Sequence, residues 1–284
     1  MPQVELSAGT IEYQDTGGEG PVVVLLHGLI MDHTLWREVL PGLGGMRCIL
    51  PTLPLGAHRR AMRRDAELGL WAQVELVGEF LDALELEDVT LVSSDWGGGT
   101  LLTAAGRDAR VGRLVICAGE LFDNYPPGLP GRLAAIAARM PGGIALALRQ
   151  LRIGWLRRTP PLFGWMAKRP LPDDLVRGWT APGLASKAVR RDLRRYARKS
   201  PPGAELIAAT ERLRDFDRPA LILWGTEDKV MPIAHARRLA ALMPQAKLVE
   251  LRDAYALVQL DQPQAVAAEI TAFVADTAPH AFVA

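Results

Sequence analysis

The sequence predicts an α/β protein with a doubly wound, mostly parallel sheet interrupted by a helical insertion. Three observations carry that expectation. Short apolar runs alternate with helical patterns over residues 1–123, the alternation resumes over 215–284, and residues 124–214 hold helical patterns and Pro-rich turns without a strand candidate. Continuous apolar strands, rather than alternating ones, are what a parallel sheet covered on both faces requires. The strand–helix rhythm then gives the layered architecture.

In chain order, VELSAG and IEYQDTGG read as an antiparallel opening ribbon, followed by strands at 22–26 (VVVLL) and 47–50 (RCIL). Residues 70–86 place apolar side chains at three- and four-residue spacing, which predicts a helix packed on the sheet. Strands follow at 89–92 and 113–118, then 220–225 and 247–251, with helices over 235–243 and 265–276. Between the halves, 129–140, 144–156 and 184–199 are helical, separated by YPPGLPG, RTPP, KRPLPDD and SPPG. A helical insertion at this place caps the carboxyl ends of the strands, where open α/β sheets put their ligands.

The bulk numbers narrow the function classes. A chain of 284 residues, 49% hydrophobic, buries a substantial core. Net charge is +1, which gives no argument for nucleic acid, and no apolar run is long enough to span a bilayer. With no N-terminal basic-plus-apolar segment, the expectation is a cytoplasmic protein. Cys48 and Cys117 sit in apolar strand runs and read as buried thiols. Charge is uneven, however: residues 125–201 carry 16 Lys and Arg against 3 Asp. The helix around SKAVRRDLRRYARKS reads as a solvated face, with docking of something anionic as its alternative. No phosphate-binding glycine loop, nicotinamide or flavin motif, or metal-ligand spacing occurs, so no cofactor and no metal are expected.

The stretch LVSSDWGGGT, 91–100, carries the chemistry. A strand that turns sharply into a helix exposes its central residue, provided that the positions two before and two after are small. Ser93 and Gly97 meet that condition for Asp95, whereas Ser94 would need Val92 and Trp96 to be small. Asp95 is therefore the expected nucleophile, the plainer alternative being a helix N-cap.

The HG loop at 27–28, the SSDWGG turn, WGTEDKVMP and the late LDQP together resemble the α/β-hydrolase superfamily. The Asp-Trp-Gly turn is similar to the branch that holds haloalkane dehalogenases and epoxide hydrolases. The resemblance spans essentially the whole chain and implies an eight-stranded sheet flanked by helices, with an inserted helical cap. It also implies an oxyanion hole from the amides of Leu29 and Trp96, and Asp228 as the acid that orients a histidine. In that branch the aspartate forms an ester with an electrophilic carbon, and the histidine activates water to hydrolyse it.

Departures from the pattern shape the reading. The histidine position falls at Ala256, or at Tyr255, in LRDAYALVQLDQP. Neither side chain takes a proton from water near neutrality. Either Ala256 is an engineered change, or the chain naturally lacks the base, or another histidine serves, with His58 as the candidate and His33 as a second neighbour of the pocket. His27 reads as structural, and His235 and His280 as solvated. Leu29 stands where dehalogenases usually carry a halide-binding asparagine, so epoxide opening is favoured. Tyr125, Tyr196 and Tyr255 are the tyrosines available to protonate the opened oxygen. Tyr196 shares an apolar helix face with Val189 and Leu193 and reads more simply as packing. The expected function is hydrolysis of an epoxide or similar small electrophile. A non-hydrolytic cyclase, isomerase or lyase using Asp95 as acid and base, and a silent small-molecule binder, are the alternatives.

Overall fold

A computed structural model describes residues 1–199 and 201–277. The opening ribbon is present as β1 (Gln3–Leu6) and β2 (Gly9–Asp15), paired antiparallel. Then come β3 (Val22–Leu25), β4 (Arg47–Pro51), α1 (Leu70–Ala83), β5 (Val89–Asp95), α2 (Leu102–Ala105) and β6 (Val111–Gly119). Helices α3 (Gly128–Arg139), α4 (Gly143–Leu151), α5 (Gly154–Arg157), α6 (Asp173–Ala185), α7 (Lys187–Arg198) and α8 (Gly203–Glu211) follow. The chain returns to the sheet with β7 (Ala220–Gly225), α9 (Ile233–Leu242), β8 (Ala246–Leu251), α10 (Val258–Asp261) and α11 (Pro263–Thr277).

The eight strands form one sheet in the order β1-β2-β4-β3-β5-β6-β7-β8. All pairings from β4 to β8 are parallel, while β1, β2 and β4 join antiparallel. β5 lies between β3 and β6 and is buried at every residue, as are β7 and nearly all of β6. That explains the continuous apolar runs: both faces of these strands meet helices, and full burial of each Val, Leu or Ile stabilises by about 1.5–3 kcal/mol. Parallel pairing also brings the carboxyl ends of β3, β5, β6, β7 and β8 to one edge. The residues that follow those ends are therefore neighbours in space, however far apart in sequence. Cys48 and Cys117 are buried and unpaired, as expected.

The insertion differs from the sequence reading in detail. The run 144–156 is broken at Arg152 and Ile153 into α4 and α5. Helix α6 was concealed by Pro182, which reads as a breaker but lies within its last turn. A proline there removes a single N–H, and burial of Val176 and Trp179 holds the helix in place. Ser186 then caps α7 by accepting from Val189 N. The apolar face expected for Tyr196 is present, with Val189, Leu193 and Tyr196 all buried. The solvated-face reading of α7 needs correction. Arg191 reaches Asp192 and the Met62 carbonyl, Arg195 the Ala66 carbonyl, and Lys199 pairs with Glu67, so much of this helix's charge fastens it to the core. Among the described residues no helix is long and apolar enough to cross a membrane. His280 lies outside the described residues.

Gly225 closes β7 where the chain must pass the loop after β8. A Cβ there would lie 2.5 Å from the carbonyl oxygens of both Ala254 and Tyr255. Both obstacles are backbone, so relief requires the loop to move. Gly225→Ala is expected to cost about 1–3 kcal/mol or more in urea unfolding, because overpacking against backbone cannot be relieved by rotamer changes.

Candidate active site

Asp95 ends β5 in the left-handed region, φ +62°, and the Trp96 amide closes the turn onto the Ser94 carbonyl at 2.6 Å. An L-residue held there costs about 1–3 kcal/mol, so the surrounding structure must impose it. The sheet does: Asp95 pairs with Gly119 beyond a register shift, and its carbonyl accepts from Glu120 N at 3.2 Å. Thr100 Oγ1 and Ser93 Oγ lie 3.1 Å apart behind the turn, and Gln259 Nε2 donates to Ser94 Oγ at 2.7 Å. These contacts leave the Asp95 side chain facing forward.

Asp95 is 5% exposed. Oδ2 accepts from Leu29 N at 3.2 Å, the one hydrogen bond to this group among the described residues. Gly28 makes the approach possible, since a Cβ there would stand 2.1 Å from Oδ2. The loop is held by His27, whose Nδ1 meets the Gly28 carbonyl at 2.8 Å while Nε2 accepts from Leu53 N at 2.8 Å. Burial pulls the imidazole down to about 4, so it stays neutral in this structural role. Burial acts oppositely on Asp95 and raises it to about 7, against a smaller lowering by the Leu29 amide.

In front of Asp95 is a cavity of about 440 Å³ whose walls are overwhelmingly apolar, among them Leu29, Met31, Ala134, Leu151 and Phe163. Glu120 lines it too. It follows β6 directly, is buried, and is held well above the ordinary carboxylate range by that burial and by the nearby Asp95. Its Oε2 makes no hydrogen bond among the described residues. Glu120 escaped the sequence reading. The available signal was a carboxylate immediately after the strand beside the one that carries Asp95.

Asp228 occupies the loop after β7. Oδ1 accepts from Val230 N and Met231 N, each at 2.8 Å, while Oδ2 is buried with no partner among the described residues. Desolvation, then the charges of Asp95 and Asp261, raise it to about 7. Ala256 is completely buried, in a loop fixed by Asp261, which accepts from the amides of Lys168, Arg169 and Tyr255.

The remaining expectations divide. His58 does not face the cavity: its Nε2 lies 3.4 Å from Asp192 on α7 and its Nδ1 accepts from Gly56 N, which makes it a bolt between core and insertion. His33 is also away from the cavity, 3.1 Å from Thr52 Oγ1. His235 is half-buried beside Asp123 rather than fully solvated. Tyr196 is buried and shares a side-chain hydrogen bond with Tyr125, and its own proton is held tightly by burial and by Glu120. Neither lines the cavity, nor does Tyr255, whose ring lies under Lys229 Nζ. The Trp96 amide is engaged by Ser94, so only the Leu29 half of the expected amide pair points at the site. The indole Nε1 of Trp96 is buried without a partner among the described residues. Among those residues no group of three or more His, Cys, Asp or Glu is arranged to hold a metal ion.

A model of the alpha/beta hydrolase fold family matches residues 21–263. A haloalkane dehalogenase from Mesorhizobium japonicum is 26% identical, over 95% of this chain and 90% of its own. A cis-3-alkyl-4-alkyloxetan-2-one decarboxylase from Xanthomonas campestris is 30% identical, over 93% and 91%. Among solved structures, a haloalkane dehalogenase from Bradyrhizobium elkani superposes with a TM-score of 0.77 at 22% identity, covering 96% of each chain.

The buried carboxyl has a stability consequence with a definite sign. Its folded value is raised above the ordinary 3.8 to about 7, so its destabilising effect is absent below about pH 4, grows upward, and is complete above about pH 7. Asp95→Asn is expected to raise the melting temperature little near pH 4 and most near pH 8, with a gain of up to about 4 kcal/mol. Thermal melts of both proteins across that range check it.

Proposed function

The chain belongs to the alpha/beta hydrolase fold family, and from that premise we propose an enzyme that opens a small, largely apolar electrophile, an epoxide in the simplest case, through an Asp95 ester. The observation that carries this reading is Asp95 itself: a carboxyl at the floor of an apolar cavity, one oxygen tied to the Leu29 amide and the other without a hydrogen bond among the described residues. The free oxygen attacks the ring carbon, forming a carbon–oxygen bond as the ring bond breaks. Glu120 lies in the same cavity, its carboxyl held well above the ordinary carboxylate range by burial, and in its protonated form gives its proton to the departing oxygen.

The second half-reaction has to work without histidine. Glu120 is ionised by the first step and then becomes the base, taking a proton from water as the hydroxide adds to the Asp95 carbonyl carbon. One carboxyl acting first as acid and then as base beside a nucleophilic carboxyl is established chemistry on other scaffolds. The oxyanion forms on Oδ2, against the Leu29 amide, and collapse releases the diol and restores Asp95. Asp228 has no imidazole to orient on this reading and contributes electrostatics alone.

A second reading is favoured by Ala256 together with the decarboxylase relative. Loss of carbon dioxide from an oxetan-2-one consumes no water and needs no water-activating base. Asp95 would open the ring at the carbon bearing the ring oxygen. The freed carboxylate then leaves as carbon dioxide, its carbon–carbon electrons forming the alkene and expelling Asp95.

Intact-mass measurement after incubation with terminal epoxides and with dialkyl oxetan-2-ones tests the shared first step. An adduct on the wild type that is absent from Asp95→Asn is expected, and its formation should rise with pH through about 7 as Asp95 ionises. Diol product supports the first reading and alkene the second; no adduct and no product from either class rejects both. Glu120→Gln is expected to lower the rate of ring opening by about 10²–10⁴-fold. Ala256→His restores an imidazole at the position where the resemblance puts the base and is expected to speed ester hydrolysis, shortening the lifetime of the adduct. An unchanged lifetime would show that Asp228 cannot orient the new base.

A further inference from the structure

The cavity opens through a surface unlike the rest of the molecule. Among the described residues eight large hydrophobic side chains are exposed, and all except Met1 fall between 129 and 155. Leu129, Leu133, Ile136 and Met140 recur at helical spacing along the outer face of α3 and just past its end. Leu146 on α4 is 54% exposed, and Trp155 on α5 is 73% exposed. Leu133, Ile136, Met140 and Leu146 also line the cavity, so they form its rim. Monomeric proteins rarely leave so much contiguous apolar surface in water without a use for it.

Charge says what meets this surface. Residues 124–172 contain eight Lys and Arg and no Asp or Glu. Arg157, Lys168 and Arg169 are paired with carboxylates from outside the stretch. Arg132, Arg139, Arg149 and Arg158 are exposed and pair with no carboxylate among the described residues. Arg132 and Arg139 follow Leu129 and Ile136 by three residues, and Arg149 follows Leu146 by three, so cation and hydrocarbon share one helical face. Exposed apolar side chains, arginines three residues on from them along the same helices, and an exposed tryptophan match an interface with hydrocarbon beneath and negative charge above.

We propose that α3, α4 and α5 dock the protein on an anionic lipid surface, with the cavity mouth turned toward the bilayer. The surface is separate from Asp95 and binds whether or not that residue reacts. If the function proposed above holds, its substrates are lipophilic molecules taken from the membrane interface rather than from water. An acidic protein partner would not require a tryptophan and four aliphatic side chains standing clear around an open cavity.

Sedimentation of the full chain with vesicles tests this, comparing phosphatidylcholine alone with equal parts phosphatidylcholine and phosphatidylglycerol. Binding to the anionic vesicles is expected to be at least about tenfold tighter and to weaken with added salt. Trp155→Ser and the Arg132→Glu, Arg149→Glu double variant should each lower it at least about fivefold with unchanged melting temperatures. Lys187→Glu with Arg198→Glu on α7 should leave binding nearly intact. Equal binding to both vesicle types, no binding, or no effect of the α3–α5 variants would overturn the proposal. So would a lipid-free dimer abolished by Trp155→Ser, which would assign the face to a second copy of the chain. Because vesicle binding uses no substrate, its failure would leave the reading of Asp95 standing, and failure of that reading would leave this one.

Discussion

The site depends on one constraint: a carboxyl group held without a counter-charge at the tip of the central strand. Among the described residues Asp95 receives a single hydrogen bond, from the Leu29 amide, and the cavity it faces is apolar apart from Glu120 and a few polar groups. Water would stabilise its anion far better, which is why burial lifts the group to about 7. Keeping it there requires the strained turn at φ +62°, the bare backbone of Gly28, and the strands on either side of β5. A poorly solvated carboxylate is a better nucleophile and base than a hydrated one, so the same burial that destabilises the fold prepares the group to react.

Three carboxyl groups, Asp95, Glu120 and Asp228, converge on the sheet edge, and desolvation is the largest influence on each. They come from the ends of β5, β6 and β7, three adjacent parallel strands. The charge of Asp95 opposes ionisation of the other two, and burial holds all three above the ordinary carboxylate range. Mixed protonation would supply at once the acid and the nucleophile that the proposed ring opening requires. On the proposed reading, the proton traffic that the related branch assigns to histidine falls to these carboxyls.

Much of this was legible in the sequence, for identifiable reasons. The strands of the parallel sheet announced themselves because both their faces are buried, and Asp95 because a sharp turn needs small residues at Ser93 and Gly97. The departure at Ala256 was readable for the same reason: the loop before LDQP is local, and alanine stands where the resemblance puts a histidine. Glu120 was not legible, since a lone carboxylate after a strand acquires meaning only through the register that sets it beside Asp95. His58 misled for the converse reason. It follows a strand at the correct edge, but its partner is Asp192, more than a hundred residues away on a helix whose packing the local pattern does not reveal. The basic insertion likewise divided in a way composition conceals: α7 fastens itself to the core, while Arg132, Arg139 and Arg149 on α3 and α4 pair with no carboxylate among the described residues.

The most direct test of the account is the fate of solvent oxygen in a single turnover of a terminal epoxide in ¹⁸O-labelled water, read by mass spectrometry of the peptide that contains Asp95. An ester intermediate hydrolysed at its acyl carbon puts the label into the Asp95 carboxyl and leaves the first diol unlabelled. Label found in the diol with none in Asp95 would mean that water attacks the substrate directly and would contradict the nucleophilic role of that residue.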